Sequence, residues 1–144
     1  MGIIKFRKYN TIKSEEVRAV NKVMKSGILS DFFANKNKNF LGGKYVQKFE
    51  KDCKKYFKVK HAITVNSWTS GLVAIIGSLN VKPGDEIILS PWTMSACSSA
   101  IIHWGCIPVF SDIDEKTFNL DPKKIIKKIS KKTKAIMAID LFGQ

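Results

Sequence analysis

Residues 61–79 read HAITVNSWTSGLVAIIGSL. An apolar run of strand length, 61–65, meets a polar corner, Asn66-Ser67-Trp68-Thr69, and a mostly apolar run of helix length follows at 69–79. The same order recurs downstream. After the turn-forming segment KPGDE (82–86), the apolar IILS (87–90) precedes TMSACSSAIIHW (93–104), a helix rich in small residues and closed by Gly105. IPVFSDI (107–113) reads as a third strand and AIMAID (135–140) as a fourth. Apolar strands alternating with helices predict an α/β fold, a mainly parallel sheet with helices on both faces.

Upstream, Ser14 with Glu15 and Glu16 reads as a helix start, with acids where the helix dipole favours them. Val17, Val20, Val23 and Met24 form its apolar stripe, and Gly27 ends it. Residues 30–43, rich in Asn and Gly, read as a loop. A helix over 44–57 then shows Tyr45, Phe49, Cys53 and Phe57 on one face. Asp121-Pro122 opens a last helix, and KKIIKKISKKTK (123–134) sets Ile125, Ile126 and Ile129 against a solvated lysine face. This gives an N-terminal helix and loop, 1–43, ahead of an α/β portion, 44–144.

The 144 residues suffice for a domain with a real core, and 44% hydrophobic with 26% charged residues is ordinary for a globular protein. No apolar run reaches the roughly 20 residues of a membrane helix. The start, MGIIKFRKYN, lacks a signal-peptide core, and Phe6 stands where a myristoylation signal needs Ser or Thr. A cytoplasmic protein is expected. Cys53, Cys97 and Cys106 are odd in number and lack C-x-x-C spacing, so buried thiols are expected rather than disulfides or zinc. The net charge of +13 comes almost wholly from lysine, Arg7 and Arg18 being the only arginines. Specific nucleic-acid sites favour arginine with interleaved aromatics, so this composition argues against that class.

In parallel sheets, ligands bind beyond the carboxyl ends of the strands. Here those ends are Asn66-Ser67-Trp68-Thr69, Ser90-Pro91-Trp92-Thr93, Ser111-Asp112-Ile113-Asp114 and Asp140. A helix starting near Thr69 offers free N–H groups and partial positive charge, to which Ser67 and Thr69 add hydroxyls. Asn66 suits a tight corner. Together these residues can cradle a phosphate, although neither G-x-x-x-x-G-K nor G-x-G-x-x-G is present. Plain N-capping by Ser67 or Thr69 is the competing reading. Trp92 can stack on a flat heteroaromatic ring or fill the core.

Three segments, GGKYVQKFEKDCKKYFKVKHAITVNSWTSGL, VKPGDEIILSPWTMSACSSAIIHWGCIPVFSDIDEKTFNLDP and KKTKAIMAIDLFGQ, in that order and spacing, resemble the DegT/DnrJ/StrS family of sugar aminotransferases. The resemblance runs from about Gly27 to the last residue. It implies part of the large domain of a fold type I enzyme, which uses pyridoxal 5′-phosphate (PLP) to aminate nucleotide-linked keto sugars, with an amino acid as donor and usually as a homodimer. By resemblance the phosphate ligands are the Trp68 N–H and Thr69, with Ser67 beside them. Trp68 departs from the small residue usual there. The ring-stacking position falls on Met94, with Trp92 two residues earlier as the alternative. Asp112 and Asp114 are expected to fix loops.

Two parts the family uses have no counterpart within these residues: the Schiff-base lysine and the aspartate that pairs with the pyridine nitrogen. The 144-residue chain on its own is therefore expected not to transaminate, as a truncated or partial reading frame would not. The competing readings are a non-catalytic partner of a full-length paralogue and a basic nucleic-acid-binding module.

Overall fold

The computed structural model describes residues 9–35 and 37–144. The readings of the first residues, against a leader and against acylation, fall on 1–8 and lie outside the described residues. The chain divides into two compact units, Met1–Thr64 and Val65–Gln144.

The first unit holds α1 (Ser14–Ser26) and α2 (Lys44–Phe57). At the start of α1 the Lys13 N–H donates to the Glu16 carboxylate at 2.7 Å, which holds that carboxyl below its usual pKa. Gly27, in the left-handed region at φ 70°, ends the helix. Gly42 and Gly43 admit the chain beside Phe32 and Asp31, where an added Cβ would collide with side chain or backbone.

Residues 61–65 do not form the expected strand. They pair with no strand among the described residues. The Thr64 N–H and hydroxyl instead both donate to Glu50 Oε1 on α2, each at 2.8 Å, so a side chain satisfies the backbone donor that a ladder would have used.

The second unit contains α3 (Trp68–Ser78), β1 (Glu86–Leu89), α4 (Ser95–His103), β2 (Ile107–Phe110), α5 (Pro122–Ile126), β3 (Thr133–Met137) and a 3₁₀ turn at Leu141–Gly143. The strands form a parallel sheet in the order β2-β1-β3, so β1 lies in the middle. Being central, it is buried on both faces: Ile87, Ile88 and Leu89 are each at most 1% exposed. Ile87 and Leu89 join Ile76 of α3, Cys97, Ala100 and Ile101 of α4, and Cys106 in one core. Each aliphatic so buried contributes about 1.5–3 kcal/mol. The expected buried thiols are found at Cys97 and Cys106, whereas Cys53 is half-buried. Burial pushes the Cys106 thiol pKa up.

The lysine-rich helix is much shorter than its composition predicts, ending at Ile126. Lys123/Lys127, Lys124/Lys128, Lys127/Lys131 and Lys128/Lys132 are all like-charge i, i+4 pairs, which weaken a helix. A local alternative wins. The Ser130 N–H donates to Thr133 Oγ1 at 2.9 Å and the Thr133 N–H returns to Ser130 O at 3.2 Å, turning the chain into β3. β2 also stops early, at Phe110: the Ser111 N–H still donates to Leu89 O at 3.0 Å, and beyond it the chain forms a loop closed by an Ile113–Leu120 bridge.

Trp104 shows how closely α3 and α4 pack. Its indole N–H donates to Val73 O at 2.8 Å, and its ring lies where a Cβ on Gly77 would stand. Gly77→Ala is expected to destabilise the chain by about 1–3 kcal/mol through overpacking, read as a lower urea midpoint at unchanged slope. Asp114 gives a pH prediction. Its carboxylate accepts from the N–H groups of Thr117 (2.9 Å) and Lys116 (3.0 Å), and these hold its pKa below the usual value. A lowered folded pKa means stability that is present above the unfolded pKa of about 4 and lost as pH falls through the folded one. Acid titration of wild type is expected to lose this contribution below about pH 4, and Asp114→Ala is expected to remove that part of the pH dependence.

Candidate functional site

The polar corner is built by the start of α3. Ser67 is the N-cap: its backbone is extended (φ −158°, ψ 159°) and its Oγ accepts from the Ser70 N–H at 3.1 Å. Ser67 Oγ also lies 3.0 Å from Ser70 Oγ. Capping is therefore real, and it occupies Ser67. It leaves the two preceding donors: the N–H groups of Trp68 and Thr69 have no backbone acceptor among the described residues, as geometry requires in a first helical turn. The Thr69 hydroxyl has no hydrogen-bond partner among them either, and Thr69 is exposed. Asn66 makes the corner without a left-handed backbone.

This donor set fits a phosphate: two backbone N–H groups and one hydroxyl, at the positive end of an 11-residue helix. Trp68 does not obstruct it by filling the core, since it is 54% exposed.

The second strand end is organised differently. The Trp92 N–H donates to Ser90 Oγ at 3.0 Å, and Thr93 Oγ1 lies 3.3 Å from Cys97 Sγ. Both contacts hold the corner between β1 and α4. Trp92 is not core: it is 56% exposed and pairs with Phe118, ring centroids 6.0 Å apart and planes tilted by 31°. Met94, the N-cap of α4, is 71% exposed. Trp92 and Met94 line one shallow cleft of about 400 Å³ with Leu141, beyond the end of β3. Ser67, Trp68 and Thr69 do not line that cleft.

Phe118 was not legible as a neighbour of Trp92. It sits in an irregular loop with a left-handed backbone (φ 60°), which no apolar periodicity marks. The loop is pinned by Asn119, whose Oδ1 accepts from the Leu141 N–H at 2.9 Å and whose Nδ2 donates to Gln144 O at 3.2 Å. Asp114 holds the other side through Lys116 and Thr117. Asp112 contributes its carbonyl, which accepts from the Asp121 N–H at 3.1 Å. Both aspartates thus fix loops.

The DegT/DnrJ/EryC1/StrS aminotransferase family matches residues 10–144. The spore coat polysaccharide biosynthesis protein SpsC of Bacillus subtilis is 39% identical over 133 residues, 92% of this chain and 31% of that protein. The GDP-perosamine synthase of Vibrio cholerae is 37% identical over 102 residues, 71% of this chain and 28% of that one. Among solved structures, NtdA from Bacillus subtilis with bound cofactor PMP, the aminated form of PLP, superposes with a TM-score of 0.79 at 28% identity, covering 92% of this chain and 29% of that chain. The chain thus spans about a third of the length of the curated relatives it matches. No helix among the described residues is long and apolar enough to cross a membrane. With the family matched over residues 10–144 and a relative structure holding the cofactor in its aminated form, this chain belongs to the DegT/DnrJ/EryC1/StrS aminotransferases, a PLP-dependent family.

Proposed function

We propose that this chain supplies the phosphate-binding corner of a PLP-dependent transaminase that aminates a nucleotide-linked keto sugar, with an amino acid as donor. The observation that carries the reading is the set of uncommitted donors at the start of α3, the N–H groups of Trp68 and Thr69 and the Thr69 hydroxyl. These three donate to the cofactor phosphate, and the helix end favours its negative charge. Ser67 Oγ caps α3 by accepting from the Ser70 N–H, and its own O–H is the group it turns either to Ser70 Oγ or to the phosphate. When bound, PLP supplies the electron sink for moving an amino group.

Trp92 and Met94 take different parts in this reading. Phe118 already engages the Trp92 ring, so Trp92 forms a wall of the site, while Met94 offers its thioether to the cofactor ring. The nucleotide-sugar substrate is supported by the name of the Vibrio cholerae relative, a GDP-perosamine synthase. A role in surface polysaccharide synthesis is supported by that of SpsC. We assign the protein to a homodimer in the cytoplasm on the family resemblance.

Binding of PLP to the chain, followed by equilibrium dialysis, tests the corner. Thr69→Val is expected to weaken PLP about tenfold or more, the scale of one hydrogen bond to a charged group, and to leave binding of pyridoxal, which lacks the phosphate, unchanged. Equal losses for both ligands, or none for PLP, would remove Thr69 from the phosphate site. A second test concerns the 144 residues by themselves, in which no lysine matches the family's cofactor-linking motif. Borohydride reduction of the chain with PLP is expected to leave no single lysine stoichiometrically modified, and no amino transfer is expected. One specifically modified lysine together with turnover would overturn this.

A further inference from the structure

We propose a second anion site, for a phosphorylated small molecule, in the cleft between the carboxyl end of β2 and α5. The cleft has a volume of about 480 Å³. Lys124, Lys127 and Lys128 line it, with Asp112 as the acid among its lining residues and Phe110 as an apolar wall. The three lysines stand at i, i+3 and i+4, a spacing that puts them on one face as the chain leaves α5. The Lys128 N–H donates to Ile125 O at 2.8 Å, which keeps that turn closed after the helix proper has ended.

The charges are unevenly matched. Lys124 Nζ lies 3.7 Å from Asp112 Oδ2, a loose pair, and 3.4 Å from Ile113 O. Lys127 and Lys128 have no carboxylate within ion-pairing distance among the described residues. Three lysines against one aspartate leave a formal charge of +2 around the cleft, which a phosphate dianion or a diphosphate would offset. Ser111 also lines the cleft, and among the described residues its buried hydroxyl has no hydrogen-bond partner. Native proteins rarely leave such a donor unpaired; turned toward the cleft, it donates to a ligand oxygen.

Phosphate oxygens suit this arrangement better than a carboxylate does, since they can spread over several ammonium groups at once. Phe110, 48% exposed, gives an organic group attached to the phosphate a flat surface to lie on. None of these lining residues belongs to the phosphate corner at 66–69, and the cleft shares only Pro91 with the one beside Trp92 and Met94.

The test is calorimetric titration of the chain with orthophosphate, pyrophosphate and a nucleoside diphosphate, at ionic strength held constant with sodium chloride. Saturable binding is expected, weakened about tenfold or more in Lys127→Gln/Lys128→Gln, the scale of losing charge-assisted hydrogen bonds to the anion. Thr69→Val, which removes one of the three donors of the proposed cofactor corner, is expected to leave this binding unchanged. Tighter binding of the nucleoside diphosphate than of pyrophosphate identifies a nucleotide as the occupant, and equal or weaker binding identifies the free phosphoryl anion. Undiminished binding by the lysine double variant, or heats that vanish at matched ionic strength, would overturn the proposal. A loss in Thr69→Val alone would do the same, by assigning the anion to the corner instead. Circular dichroism of each variant, expected to match wild type, separates lost binding from lost folding.

Discussion

The burial of one strand on both faces organises everything chemical in the second unit. Ile87, Ile88 and Leu89 admit essentially no solvent, because β1 lies between two parallel neighbours under apolar cover. Parallel strands point their carboxyl ends the same way. That alone gathers Ser90-Pro91-Trp92, Ser111-Asp112 and Asp140-Leu141 at one edge of the sheet. α4, rich in small residues, packs closely on this layer through Cys97, Ala100 and Ile101. Its contact with α3 is tight enough that Gly77 has no room for a methyl group beside Trp104.

At the corner before α3, two roles first weighed as rivals use different atoms. Capping uses Ser67 Oγ as an acceptor, and what remains at Trp68 and Thr69 is donor capacity. A helix N-terminus has more N–H groups than its cap can satisfy, so a capped helix still presents an anion site. In the proposed reading the Trp68 side chain matters little to the chemistry, because it is the backbone that would donate. The second corner is held by the Ser90 hydroxyl and by Thr93 against Cys97, which leaves Met94 and Trp92 outside the core and near Leu141.

Charge acts in two ways along the lysine-rich segment. Repulsion between lysines four apart cuts the helix to five residues and lets the Ser130–Thr133 turn take over. The same lysines, no longer spread along a long solvated face, line a cleft whose opposite wall comes from β2. A composition that argues against specific nucleic-acid recognition is thus still compatible with recognition of a small anion.

The sequence by itself determined the α/β class, the span of α2, the starts of most elements and the family, because apolar period and the order of short motifs are properties of the chain. It also marked Ser67, Trp68 and Thr69 as the polar corner, since a strand-like run meeting a helix-like run is visible in one dimension. Only the tertiary structure decided that residues 61–65 give Thr64 to Glu50 instead of to a ladder, because that donor is claimed by a side chain 14 residues away. It alone paired Trp92 with Phe118, across a loop whose left-handed backbone leaves no periodic trace. It alone set Lys124, Lys127 and Lys128 against Phe110 and Asp112. Periodicity tells which residues share a face, while what that face meets depends on distant parts of the chain brought together by the burial of β1.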